Sequence, residues 1–222
     1  MLDTLIPFRN DLLSLSASGL MLLAYHLHLH LRLRRDPRYT IQAINSMARE
    51  AWVESIMADS EKSVLAVQTL RNSTMAAIFL ASTSILLIIG TLTLSEQGDK
   101  LSGVWSSLNR YGAVRRELWS VKLIFLLVDF FVAFFSFAMA IRMYNHVGYL
   151  INVSDALSAH HPNASSYVAK LLNRGSWYYS IGMRAYYFSV PLVFWLFGPE
   201  LMLLATIGLI LVLRHVDRAP FI

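Results

Sequence analysis

The sequence predicts an all-α protein, a polytopic bundle of four or five transmembrane helices with long helical extensions on the cytoplasmic side. Hydrophobic residues make up 56% of the 222 residues and charged residues only 15%. Apolar runs long enough to cross a bilayer also recur along the chain. A soluble fold of this size would leave much of that apolar surface in water, whereas a bilayer solvates it. We therefore expect a single membrane domain over residues 1–222.

The individual spans follow from the apolar runs and from the breaks between them. About 20 apolar residues in a helix cross the hydrocarbon region, and Pro and Gly commonly mark the ends of such runs. The predicted spans cover residues 12–33, 74–94, 118–141, 177–197 and 200–213. The last run is short for a full crossing, so the expected number of spans is four or five.

Two further helical segments are expected outside the hydrocarbon region. Residues 40–58 carry apolar side chains three or four positions apart among charges, which is typical of an amphipathic helix on or under the membrane. Residues 60–94 run into the second span without an early Pro or Gly. A single helix over that range would be roughly 52 Å long, longer than the bilayer is thick. It is expected to project beyond the membrane on the basic side.

The basic residues predict the orientation. If the first span runs from outside to inside, most of the 19 lysines and arginines lie on the inner side, including those of residues 32–38. Lys and Arg accumulate in cytoplasmic loops, so we expect the amino terminus outside and the carboxyl terminus inside a bacterial inner membrane. On this interpretation the net charge of +5 reflects orientation, and nucleic acid is not an expected partner.

Two charged residues inside the spans are the first candidate site. Asp129 lies near the middle of the third span and Arg184 near the middle of the fourth. Intramembrane charges are costly and usually pair or serve a transport path. Matched depth in antiparallel helices predicts an ion pair between them, and the alternative is a proton or cation relay at Asp129. Arg71 and Asn72, at the mouth of the second span, are expected either to bind an anionic headgroup or to anchor the helix by snorkelling.

The histidines are the second candidate site. His26 and His30 are four residues apart, so they share a helix face that suits two imidazoles on one metal, while His28 points elsewhere. His146 is expected at the same inner boundary. Imidazole binds zinc, copper, iron or haem. The alternative is that these side chains hydrogen-bond to headgroups and backbone at the interface.

Several function classes are excluded or not indicated. The chain has no cysteine, so disulfides, thiolate metal sites, iron–sulfur clusters and Cys nucleophiles are excluded. No Walker loop, GxGxxG or GxSxG motif occurs. The sequence therefore indicates no catalytic residue, and it requires no cofactor.

Four stretches carry a family resemblance. They are REAWVESIM (49–57), LAVQTLRNSTMAAIFLASTSIL (65–86), FSFAMAIRMYNHVGYLI (135–151) and RGSWYYSIGMRAYYFSVPLVFWLFGPE (174–200). Together they resemble a family of bacterial and plant membrane proteins, domain-of-unknown-function family 599. The resemblance implies the membrane class and the fold, but no activity, cofactor or catalytic residue, and the triple histidine is not assigned to the family pattern.

The expected function is therefore broad. The leading hypothesis is a channel-like or transporter-like oligomer, or an accessory subunit of a membrane complex, with the lipid bilayer, further copies of itself or other membrane subunits as partners. Small residues such as those at 81–84 would allow close helix contact. The alternative is a metal- or haem-binding redox subunit that uses the inner histidines, and an enzyme acting on lipid is a third possibility.

Overall fold

The protein is a bundle of long helices, as the sequence predicts. The structure is a computed structural model that describes residues 9–96, 116–152 and 163–219. Its six α-helices are α1 (Arg9–Arg35), α2 (Ile41–Met57), α3 (Ser63–Glu96), α4 (Arg116–Leu150), α5 (Ala164–Phe197) and α6 (Pro199–Val216), and a 3₁₀ turn (Ser60–Lys62) precedes α3. Within the described ranges, extended pairing is limited to one antiparallel bridge between Thr40 and Arg218. The all-helical fold class is confirmed.

Four of the helices are long and apolar enough to cross a membrane. They are Arg9–Arg35, Ser63–Glu96, Leu118–Leu150 and Pro199–Val216. The last contains the run that looked short in the sequence, because Pro199 begins the helix directly after Gly198 and the helix continues to Val216. The connections on either side of α4, residues 97–115 and 153–162, lie outside the described residues.

α5 runs antiparallel to α4 along most of its length. Lys122, near the start of α4, donates a hydrogen bond to the carbonyl of Trp195, near the end of α5. At the other end of the pair, Gly175 of α5 lies against Tyr144 of α4. The neighbours in space are α3, α4, α5, α6 and α1 in that order, and α2 packs on α5. α5 therefore lies at the centre of the bundle, although its polar residues keep it from being one of the four helices that are apolar enough to cross a membrane.

The three longest helices extend past the membrane region into a second packed layer. α3, α4 and α5 contain 34, 35 and 34 residues. Each is about 51 Å long at about 1.5 Å per residue. At one end they meet α2 in a hydrophobic cluster that includes Val53, Ile56, Leu70, Val147, Val168 and Leu172. The predicted long helix corresponds to α3, which begins at Ser63 after the 3₁₀ turn, and α2 packs its apolar face on this cluster.

Polar contacts fix α2 on this layer. The Nε of Arg49 donates to the Oδ1 of Asn173 at 2.7 Å, and the Nδ2 of Asn173 donates to Glu50 at 3.0 Å. Burial lowers the pKa of the Arg49 guanidinium, since a low-dielectric environment disfavours the charged form. Ile41 and Met47 remain exposed on the outer side of α2, where they can meet the membrane surface.

The outer surface of the four apolar helices is rich in large hydrophobic side chains. Leu20 and Leu23 of α1, Phe79 and Leu86 of α3, Phe135 of α4 and Leu204 of α6 are each more than 60% exposed. Contiguous apolar surface on this scale is not stable in water. The structure therefore confirms a multi-pass membrane protein.

Two glycines of α5 allow its close approach to α4. A Cβ placed on Gly182 would lie 2.7 Å from the ring of Phe137, and one on Gly175 would lie 2.9 Å from Tyr144. Phe137 is fully buried, and its ring is held edge-on against Tyr179 and Tyr186. It has no free space into which to retreat.

Gly182→Ala is therefore expected to destabilise the protein. Added atoms in a packed interface cost about 1–3 kcal/mol, which exceeds the helix-propensity gain of about 0.5–1 kcal/mol from replacing Gly. Thermal unfolding in detergent should show a lower Tm. The matched control is Gly208→Ala on α6, where a Cβ meets nothing within 4 Å, so its Tm should be unchanged or slightly raised. Equal Tm values for the two variants would show that α4 and α5 are not this close.

Candidate functional site

A buried ion pair closes one end of the bundle. The Nζ of Lys122 lies 2.8 Å from the Oδ1 of Asp11, and the two side chains are only 3% and 0% exposed. Lys122 also donates to the carbonyl of Trp195 at 2.9 Å, and the indole Nε1 of Trp195 donates to Asp11 at 2.9 Å. This Asp11 cluster, defined as Asp11, Lys122 and Trp195, ties together the starts of α1 and α4 and the end of α5. Its charges compensate each other in a site without solvent access.

A second ion pair lies toward the opposite end. Arg184 of α5 donates through one nitrogen to both carboxylate oxygens of Asp217, at 3.1 and 3.0 Å. The hydroxyl of Tyr25 donates to the same carboxylate at 2.7 Å. The other terminal nitrogen of Arg184 lies 2.7 Å from the Nε2 of His26. These four residues form the Arg184 cluster, which joins α1, α5 and the chain segment after α6.

The hydrogen bonds of the Arg184 cluster determine the form of His26. A guanidinium has only donors, so the Nε2 of His26 must accept from Arg184. The proton then resides on Nδ1, which lies 2.8 Å from the carbonyl of Leu22 and donates to it. In this arrangement His26 donates through Nδ1 and accepts through Nε2.

Backbone contacts position Asp217 for this role. Asp217 is the C-terminal capping residue of α6, and its carbonyl accepts from the amide of Ile41 at 3.2 Å. The amide of Ala219 donates to the carbonyl of Tyr39 at 3.1 Å. The segment after α6 is thereby held against the connection between α1 and α2.

The predicted ion pair between Asp129 and Arg184 is wrong. Arg184 pairs with Asp217, which lies 33 positions later in the chain. The prediction from depth does not take account of the carboxylate that the end of α6 brings to Arg184. Asp129 keeps one carboxylate oxygen, Oδ2, buried and without a hydrogen-bond partner among the described residues.

Asp129 lies between the two clusters in depth. At about 1.5 Å per residue it is about 10 Å from Lys122 along α4, while Arg184 is about 16 Å from Trp195 along α5. Asp129 also follows Lys122 by two helical turns, which places both on the same face of α4. Asp129 is thus half-buried, with its Oδ2 atom inside the bundle between two ion-paired ends.

The inward face of α1 is polar along the same depth. Its three buried residues are Asp11, Ser14 and Ser18. The hydroxyl of Thr206 on α6 donates to that of Ser18 at 3.1 Å, a buried contact. In contrast, six leucines of α1 are exposed: Leu12, Leu13, Leu20, Leu23, Leu27 and Leu31. α1 is therefore amphipathic with its polar side toward the protein, the opposite of an amphipathic helix in a water-soluble protein.

Two cavities flank α1 near the Arg184 cluster. The larger one, about 400 Å³, lies between α1 and α6 and is lined by residues that include Tyr25, His28, Arg214 and Asp217. The smaller one, about 270 Å³, is lined by α1, α2 and α5, with His26, His30, Gln42 and Arg184 among its residues. Asp217 borders both cavities.

The histidines do not form a metal cluster in the part of the chain that the structure describes. There, no group of three or more potential His, Asp or Glu ligands lies close enough to hold a metal ion. His26 contacts Arg184, the Nε2 of His30 accepts from Arg34 at 3.1 Å, and His146 is exposed on α4. Metal binding by these histidines remains a prediction, which the engagement of His26 with an arginine does not favour.

The remaining predicted residues lie on the surface. Arg71 and Asn72 are exposed on α3, consistent with either of the two expected roles. The sequence interpretation missed Asp11, Lys122, Tyr25 and Asp217 as site residues. One signal was present for the first of these, because Asp11, Ser14 and Ser18 recur at helical spacing within an otherwise apolar run.

Comparison with known proteins supports the family resemblance. Neither a curated protein nor a solved structure matches this chain. A family model does match, over residues 13–220, and its description is "Protein of unknown function, DUF599". Because this match covers nearly the whole chain and agrees with the four-stretch resemblance, the protein belongs to the DUF599 family.

Proposed function

We propose that the protein is a transporter-like membrane protein in which Asp129 binds and releases a proton or another small cation. The observation that carries the proposal is the buried, unpartnered oxygen of Asp129, placed in depth between two ion-paired clusters. A carboxylate within a span is costly unless it pairs or serves a path for ions. Asp129 has no ion-pair partner among the described residues to repay that cost.

The two clusters act as closures at either end of this path. The side chains of the Asp11 cluster are buried, and while the cluster is intact it closes that end. The Arg184 cluster is partly exposed, with side chains 27% and 18% accessible, and it borders the two cavities. Separation of one ion pair at a time would open Asp129 to one side only, which is what directional transport requires.

The polar face of α1 supplies the route between them. Ser14, Ser18 and Thr206 offer hydroxyls that donate and accept hydrogen bonds. α1 is packed mainly against α6, and it meets the rest of the bundle largely through polar contacts. A modest movement of α1 would therefore hydrate this face without separating the main apolar interfaces of α3, α4 and α5.

Replacement of Asp129 by Asn tests the proposal directly. Purified protein in liposomes, with a potassium diffusion potential and an enclosed pH dye, should take up protons, and Asp129→Asn should reduce the rate at least about tenfold because the titrating group is lost. Asp129→Glu should retain uptake. Glu54→Gln, which removes an exposed carboxylate of α2, is the matched control. Equal rates for the Asn variant and the unaltered protein would contradict the proposal.

The proposed topology has five crossings. α5 lies antiparallel to α4, and both α4 and α6 have the character of spans, so α5 must connect the two surfaces. Five crossings place the termini on opposite sides, and the basic residues favour an outer amino terminus and an inner carboxyl terminus in a bacterial inner membrane. Association with further copies or with other membrane subunits completes the proposal, since Ser82 and Gly90 are small residues exposed on α3.

Single-cysteine labelling tests the topology, because the chain has no cysteine of its own. Ser95→Cys, at the exposed end of α3, should react with a membrane-impermeant maleimide in intact spheroplasts. Ala219→Cys should react only after the membrane is opened. The reverse pattern would invert the orientation, and reaction of both in intact spheroplasts would exclude five crossings.

A further inference from the structure

The larger cavity combines an apolar wall with a cationic rim. Met21 and Leu29 of α1 and Ile210 of α6 line it, together with His28, Arg214 and Arg218. It lies where α6 ends and where α1 approaches its basic last turn, Arg32, Arg34 and Arg35. Apolar surface and arginines thus meet at one depth, at the boundary of the spans.

The lining of this cavity keeps a positive charge, because its carboxylate is already paired within the Arg184 cluster. Among the described residues that line the cavity, Asp217 is the only carboxylate. Its oxygens already accept from Arg184 and Tyr25. Arg214 is exposed at the rim, and the guanidinium of Arg32 lies 6.0 Å from the centre of the Tyr39 ring, which also borders the cavity. An anion entering here would meet arginines without having to displace Asp217.

The apolar wall continues into the lipid-facing surface. Ile207 and Leu211, which flank Ile210 on α6, are 48% and 63% exposed. An acyl chain attached to a bound headgroup would therefore leave the cavity along an apolar helix face. A free inorganic anion would make no use of this wall.

We propose that this cavity binds one anionic phospholipid, with its phosphodiester at Arg214 and the start of an acyl chain along Met21 and Ile210. Arginine presents a planar fork of donors suited to phosphate oxygens. A volume of about 400 Å³ lies within the range of small-ligand sites, roughly 300–1,000 Å³. The site is separate from Asp129 and does not depend on the proposed transport activity.

Thermal unfolding of the purified protein in detergent, titrated with dioleoylphosphatidylglycerol, tests this proposal. The Tm should rise with lipid concentration, because a ligand that binds only the folded state stabilises it. Dioleoylphosphatidylcholine and inorganic phosphate should give no comparable rise. A similar rise with phosphatidylcholine would show non-specific lipid contact, and a similar rise with phosphate alone would show an ion site, and either result would overturn the proposal.

Two variants localise the effect. Arg214→Gln should weaken the apparent affinity for phosphatidylglycerol at least about tenfold through loss of a charged hydrogen bond. Ala24→Phe, on the cavity wall, should weaken it by filling the cavity while leaving every charge in place. Arg71→Gln, an exposed arginine on α3, is the matched control and should bind as the unaltered protein does. Equal weakening in Arg71→Gln, or unchanged binding in Ala24→Phe, would contradict a site in this cavity.

Discussion

Lys122→Met is expected to lower the free energy of unfolding in detergent by about 3–5 kcal/mol, the usual cost of leaving one charge of a buried ion pair without its partner. Asp11 is fully buried and Lys122 nearly so. The remaining carboxylate would keep the indole of Trp195 as a donor, which does not neutralise it. The methionine preserves the length and apolar contacts of the lysine stem, so the loss reports the charge.

The double variant Lys122→Met with Asp11→Asn should be markedly more stable than Lys122→Met alone, because no unpaired charge is then buried. Lys170→Met is the matched control, since Lys170 is exposed on α5 and its replacement should change stability by less than about 0.5 kcal/mol. Additive losses for Lys122 and Asp11 would mean that the pair is not coupled. A small effect for Lys122→Met would show that water reaches this end of the bundle.

Arg184→Gln is expected to release the chain segment after α6 as well as to destabilise the protein. Loss of the charged hydrogen bonds to Asp217 costs about 1.5–3 kcal/mol, less than in the Asp11 cluster because this pair is partly exposed to solvent. The backbone hydrogen bonds from Ile41 to Asp217 and from Ala219 to Tyr39 would then have to hold the segment alone. Limited trypsin digestion should cleave after Arg214 and Arg218 several-fold faster than in the unaltered protein.

A double-mutant cycle distinguishes the pair in the structure from the pair predicted from depth. Arg184→Gln and Asp217→Asn should be strongly non-additive, whereas Arg184→Gln and Asp129→Asn should add. Arg142→Gln, an exposed arginine on α4, controls for general loss of positive charge and should leave the digestion rate unchanged. Coupling between Arg184 and Asp129 in place of Asp217 would contradict the structure at this site.

Much of the fold could be predicted because it depends on local chemistry. The length of an apolar run decides whether a helix can cross the hydrocarbon, and Pro and Gly near 36–37 and 198–199 interrupt the helices where expected. The amphipathic pattern of α2 and the continuous helix after Ser60 also follow from residues within a few turns of each other.

The inward and outward faces of the spans could not be predicted from hydrophobicity. On α3 the buried residues are mostly small, including Ala66, Ala77, Ala81 and Ser84, while Phe79 and Leu86 are among the most exposed. Lipid tails are as apolar as leucine, so helices in a membrane pack through small residues and turn large ones outward. A pattern that separates core from surface in water does not separate them here.

By itself, the sequence determined that this is a helical membrane protein without thiol chemistry, where its helices run, and that Asp129 and Arg184 are charges within long helices. Only the tertiary structure decided the partners of those charges: Asp217 for Arg184, Asp11 for Lys122, and no described partner for one oxygen of Asp129. The physical reason is that helix formation is governed by neighbours three or four residues apart, whereas Asp11 and Lys122 meet only when whole helices pack. Which charges pair between residues so far apart in the chain depends on which helices are neighbours in the bundle. The same apolar runs are compatible with more than one arrangement of neighbours.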